Sequence, residues 1–221
     1  LKWQLDQAGD PEKRLAFTTD IIRRKFVGSL EVLEQFLPDT AECSEATEKT
    51  RDAIEQLNSG SVKTVDAVRS LEGVVAKSYF RAWKGIELRW IKEKQHPVPP
   101  RWKTFKGRTS IANGNVFLNK NATHPINAML NYAYALLEAN IRIKLVSEGY
   151  HPRIGIFHQR NDYAVGSFVF DLMEPERAKA DLAVLEFAMR ERFCAKDFVL
   201  TTDGVCRLSP QLSKNLVLAR G

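Results

Sequence analysis

At 221 residues, 44% hydrophobic and 27% charged, the chain can bury a substantial core, and its composition carries no signature of disorder. No apolar run approaches the roughly 18 residues needed to span a bilayer and no secretory leader opens the sequence, so a cytoplasmic protein without a membrane partner is expected. The net charge is +6, and Cys43, Cys194 and Cys206 are scattered and without metal spacing, which reads as reduced thiols rather than a zinc site or disulfide framework.

In chain order, the first helix starts at Asp10-Pro11-Glu12, where an N-cap, a proline at the first helical position and a first-turn acid coincide. Apolar residues recur from Leu15 to Leu37, and Pro38 stops the pattern. A second helix is predicted over 42–57, ended by Asn58-Ser59-Gly60. A third is predicted from near Ser61 through Lys94, with a bend at Gly73 or Gly85.

Charge divides unevenly along these elements. Residues 1–76 hold 10 Lys/Arg against 14 Asp/Glu, whereas 77–108 hold 10 basic residues against two acids. A partner with many phosphates is the natural inference, because clustered Lys and Arg release its counterions. Tyr79, Phe80, Trp83, Trp90, Trp102 and Phe105 interleave with that charge. They are either platforms for base stacking or the buried side of basic helices.

Residues 97–123 read as a long loop rich in proline, glycine and asparagine, a length uncommon without function. A strong helix follows over 125–147, then a short apolar run, Ile154 to Phe157, before His158. Another helix is expected over 167–174, interrupted at Pro175 and resumed through 177–193, with a last short helix near the end. The chain thus reads as all-α: an N-terminal helical lobe (1–96), the loop (97–123) and a C-terminal helical lobe (124–221), together one domain.

Three places combine titratable and apolar residues. Glu72 lies among Leu71, Val74 and Val75, with Gly73 and Ala76 permitting close approach of another element. His158 directly follows an apolar run. Asp171 and Glu174 are three apart, which places both carboxylates on one helical face within a Phe-Val-Phe and Leu-Met setting. Like charges so close repel unless a cation or proton intervenes. One imidazole and several carboxylates suit Mg²⁺ or Mn²⁺ better than structural zinc, and such an ion beside a basic surface points to phosphoryl chemistry. Each place also has a plainer reading, as surface glutamate, core histidine or helix-end acids, and sequence alone does not bring them together.

At these motifs the chain resembles the CRISPR-associated protein one family, the adaptation integrases. The likeness runs from Asp10-Pro11-Glu12-Lys13-Arg14-Leu15-Ala16 through Leu71-Glu72-Gly73 with Tyr79-Phe80. It continues through the Pro125 to Glu138 segment, Gly149 to His158, Asp171-Leu172-Met173-Glu174-Pro175 and Arg207-Leu208-Ser209-Pro210. The resemblance implies a multi-helix catalytic domain, the family's N-terminal β domain being absent from this sequence. By position the metal ligands are Glu72, His158 and Glu174, with Asp171 a supporting or alternate ligand.

The implied reaction is metal-dependent transesterification, in which prespacer 3′-hydroxyl ends join the CRISPR repeat, with endonuclease activity as its variant. Implied partners are double-stranded DNA, CRISPR-associated protein two and a second copy of the chain. A reverse transcriptase, which some members carry, is a candidate fused domain. Tyr79, Lys77, Arg81, Lys84 and Arg160 are candidate DNA contacts, as are Asn127 and Asn131, whose i, i+4 stripe with Tyr134 and Glu138 is equally suited to helix packing. Two other functions fit the same motifs: a transposon integrase of the same superfamily, and a DNA-binding scaffold that keeps the fold without catalysis.

Overall fold

The computed structural model describes residues 1–108, 110–112, 115–117, 121–159 and 167–218. Its helices are α1 (Lys2–Gly9), α2 (Pro11–Phe36), α3 (Ala41–Asn58), α4 (Val65–Ala82), α5 (Pro125–Ser147), α6 (Ser167–Met173), α7 (Arg177–Arg190) and α8 (Pro210–Leu218). The strands are two or three residues long: β1 (Arg89–Trp90), β2 (Ser110–Ala112), β3 (Asn115–Phe117), β4 (Arg192–Phe193), β5 (Phe198–Leu200) and β6 (Cys206–Leu208). The architecture is helical, as the sequence indicates. No described helix is long and apolar enough to cross a membrane.

Two compact units are each assembled from two stretches of chain. The first comprises Leu1–Tyr79 and Ala135–Lys179, the second Phe80–Tyr134 and Ala180–Gly221.

In the first unit, α2 begins as expected, with the Asp10 carboxylate accepting from the backbone N–H of Glu12 at 2.9 Å and Lys13 at 3.1 Å. Satisfying these otherwise unpaired amides is worth on the order of 1 kcal/mol. One face of α2 buries Ile21, Ile22 and Phe26 against Ala53 and Leu57 of α3, Val68 and Val75 of α4, and Phe157. Gly28 is needed where α2 meets the start of α7, since a Cβ there would lie 2.8 Å from the Cβ of Ala178. Short α1, not anticipated from sequence, is held by Gln4, which is fully buried. Its amide donates to the carbonyls of His151 and Ile154 and accepts from the His151 N–H.

The second unit corrects two expectations. The third helix does not run to Lys94; α4 ends at Ala82, and Gly85 turns the chain at a φ of +94°, which favours glycine. The Gly85 N–H donates to the Phe105 carbonyl, and β1 then pairs in parallel with β4. Residues 97–123 are not structureless, because a 3-10 turn at Pro100–Trp102 and the antiparallel β2–β3 pair lie within them.

Aromatic residues of the basic stretch pack inward. Trp83, Trp102 and Phe105 are fully buried, and Trp90 stacks on Trp102 at 6.2 Å. Lys84, Arg89, Lys92, Lys94, Lys103 and Lys106 are exposed. The segment is therefore a basic surface over an aromatic core. In α5, Asn127 is fully buried and donates to the Gly107 carbonyl, while its side-chain oxygen and that of Asn131 accept from Arg108 at 3.2 and 2.7 Å. The same guanidinium lies over the rings of Phe80 and Tyr134.

Candidate active site

Four side chains singled out in the sequence lie within the first unit, and the structure brings them to one place. Glu72 is on α4, one and two turns before buried Val75 and Tyr79 on the same face. Asp171 lies inside α6, and Glu174 opens the single 3-10 turn that follows. His158 ends the 154–158 segment.

That segment forms no strand, because its amides serve another purpose. The fully buried Asp171 carboxylate accepts from the backbone N–H of Ile156 at 2.6 Å, Phe157 at 3.1 Å and His158 at 2.9 Å. It also meets His158 Nδ1 at 2.8 Å. The turn is tight enough that a Cβ on Gly155 would stand 2.5 Å from the His158 carbonyl oxygen. Arg14 of α2 straps the outside, donating from Nε to the Ile156 carbonyl at 2.8 Å.

A carboxylate can only accept, so the neutral His158 ring carries its proton on Nδ1 and a lone pair on Nε2. Nε2 points toward Glu174, 4.0 Å from Oε1. The two acids three residues apart therefore stand on opposite nitrogens of one imidazole. Asp171 has all its accepting capacity engaged by these four donors, an arrangement in keeping with the supporting half of the role expected for it.

Glu174 is buried, and its Oε2 lies 2.7 Å from Lys25 Nζ and 3.1 Å from Arg177 Nε. Burial alone would push its pKa up, but the charges of Lys25 and Arg177 prevail and hold it down at about 2. Lys25, one turn before Gly28 on α2, also bonds Glu72. Burial works against its charge, yet Glu174 and Glu72 more than compensate and raise its pKa. Lys25 and Arg177 were not among the sequence candidates. Lys25 carries a legible signal, since it falls at i+4 from Ile21 and i+3 from Ile22 on the buried face of α2.

Two carboxylates and an imidazole with a free Nε2 are a donor set suited to Mg²⁺ or Mn²⁺. Among the described residues, however, no three acidic, imidazole or thiol groups stand in ready metal-holding geometry. The Lys25 ammonium bonds both Glu72 and Glu174, so the donors fit the ion in kind while a cation of the chain holds them.

The other candidates divide by exposure. Lys77, Arg81 and Lys84 are exposed on α4 or just beyond it, Tyr79 and Asn127 are buried, and Asn131 is engaged with Arg108. Arg160 lies outside the described residues.

Comparison with known proteins gives a consistent family. The family model described as CRISPR associated protein Cas1 matches residues 1–219. A CRISPR-associated endonuclease Cas1 of Thermodesulfovibrio yellowstonii is 27% identical over 195 residues, which are 84% of this chain and 52% of that protein. One from Methanospirillum hungatei is 28% identical over 158 residues, covering 71% of this chain and 41% of the relative. The chain thus spans about half the length of the curated relatives it matches. Among solved structures, a casposase bound to an integration product matches with a TM-score of 0.67 at 26% identity, over 98% of this chain and 54% of that one. A Cas1 protein from Thermotoga maritima shares the fold, with a TM-score of 0.69 at 17% identity over 98% of this chain and 60% of that one.

Proposed function

Because this chain belongs to the Cas1 family of CRISPR-associated proteins, we propose that it exchanges phosphodiester bonds in DNA, joining 3′-hydroxyl ends of a short duplex to a CRISPR repeat with Mg²⁺ or Mn²⁺. The observation that carries this reading is the pair of acids, Glu72 and Glu174, directed at one cation beside a histidine whose Nε2 is left open by Asp171. Glu72, His158 Nε2 and Glu174 would hold the divalent ion. Bound there, it would polarise a phosphate oxygen and offset charge at the exchanged phosphorus.

The chain's own groups prepare that site. Asp171 keeps the proton on Nδ1 of His158 through one hydrogen bond to the ring and holds the backbone that carries it through three more. Arg177 balances Glu174. In the reaction the 3′-oxygen of the incoming end bonds to phosphorus as the target strand's 3′-oxygen leaves with a proton. One diester replaces another, and no nucleotide cofactor is consumed. Exposed Lys77, Arg81 and Lys84 would contact DNA phosphates, and within the family setting a Cas1 copy and Cas2 are the expected protein partners.

A second reading has its own support in the casposase likeness: the same chemistry serving a mobile element. Strand-transfer assays with Mn²⁺ separate the two. Joining of short duplexes at a repeat boundary supports adaptation, whereas dependence on terminal inverted repeats supports the transposon reading. Glu72→Gln and His158→Ala should abolish joining while DNA affinity stays within about threefold, because phosphate contacts supply most of it. DNA binding without products from the intact wild-type protein would leave a scaffold as the function.

A further inference from the structure

The reading above uses Lys25 only as the cation that Glu72 and Glu174 share and gives it no role of its own, yet it stands at the centre of the site. Glu72 comes from α4 and Glu174 from the turn after α6, and the Lys25 ammonium on α2 bonds both. The side chains of Lys25, Glu72 and Glu174 are only 13%, 23% and 5% exposed, so solvent does little to screen two carboxylates converging from separate elements. They would repel one another without a cation between them. A lysine suits that task, since its compact ammonium sits on a flexible four-carbon stem that can withdraw without moving the helix.

We propose that Lys25 is a positioning residue that competes with the divalent ion: its ammonium holds Glu72 and Glu174 in ligating register beforehand and gives up the place between them when the ion binds. The inference rests on the metal reading of this site. A charge already neutralising the two acids weakens the attraction for a dication and keeps the site folded without one. Removing it leaves both acids to be neutralised by the ion alone. Loss of a merely structural residue would instead loosen the ligands and weaken metal binding.

The test is Mn²⁺ titration calorimetry on the intact chain, alongside melting temperatures in chelator and in Mn²⁺, for wild type, Lys25→Met, Lys25→Gln and Lys25→Arg. Lys25→Met and Lys25→Gln should bind Mn²⁺ at least about tenfold more tightly than wild type, a single charge being removed from beside a dication. Both should melt lower in chelator and recover most of the difference in Mn²⁺. Lys25→Arg keeps the charge, and its affinity should not exceed that of wild type. If Lys25→Met does not fold in chelator, recovery of its fold on adding Mn²⁺ gives the same support. Weaker or unchanged Mn²⁺ affinity in the two neutral variants, with wild type binding normally, overturns the role of Lys25 alone. No Mn²⁺ binding by any of the four chains overturns both this inference and the metal reading.

Discussion

Asp171 holds His158 twice, accepting from its backbone N–H at 2.9 Å and its ring Nδ1 at 2.8 Å. Two more amides, from Ile156 and Phe157, converge on the same carboxylate. One buried side chain therefore shapes the 154–158 turn and sets which imidazole nitrogen is left open.

Asp171→Asn replaces one accepting oxygen with an amide that faces donors. Leaving buried N–H groups unpaired costs about 1–3 kcal/mol, so the variant should melt several degrees below wild type. The ring should also lose its tautomer preference, lowering metal affinity about 10- to 100-fold. Thermal melts and Mn²⁺ titration check both, and unchanged metal affinity in a folded variant would remove the holding role.

Packing between α2 and α7 gives a second prediction. A Cβ on Gly28 would press on the Cβ of Ala178 at 2.8 Å, and neither atom is the end of a flexible chain. Gly28→Val should destabilise the fold by about 2 kcal/mol through overpacking. Ala178→Gly in the same chain should return part of the loss, giving a non-additive double-mutant cycle. Additive effects would mean that the two positions do not press on each other.

His124 yields a pH dependence with a definite sign. It is buried, accepts the Ile126 N–H at Nδ1 and lies edge-on to Phe105. Burial lowers its pKa from 6.5 to about 4, outweighing the opposing hydrogen bond with the Trp102 backbone. As pH falls below 6.5 the unfolded chain takes up this proton first, so stability is full above that point and declines until about pH 4. The decline from this group is on the order of 3 kcal/mol. His124→Asn keeps an acceptor for the Ile126 N–H and should flatten that part of the pH–stability profile, measured by denaturant melts from pH 7 to pH 4. An unaltered profile would assign the acid sensitivity to other groups.

Much of this was legible because local chemistry and tertiary packing agree. Asp10-Pro11, Pro38 and the Asn58-Ser59-Gly60 stop place α2 and α3 within a residue or two. Asp171 and Glu174, which their spacing of three singles out, both approach the His158 ring. What local pattern could not supply were decisions made by distant partners. Strand β1 exists because Arg89 and Trp90 pair with Arg192 and Phe193, about a hundred residues on. The apolar run from Ile154 to Phe157 is too short for its pattern to decide between strand and turn, and the decision comes from Asp171, toward which the amides of Ile156, Phe157 and His158 point. Lys25 sits in a basic run, Arg23-Arg24-Lys25, that reads as solvated. Only its place on the apolar face of α2 signals that a buried acid must meet it.

The most direct test is a crystal of the intact chain grown with Mn²⁺, with the ion located by its anomalous scattering. One ion should lie about 2.1 Å from a carboxylate oxygen of Glu72, from His158 Nε2 and from a carboxylate oxygen of Glu174. Manganese bound only at other residues, with these three side chains arranged as they are around Lys25, would contradict the account.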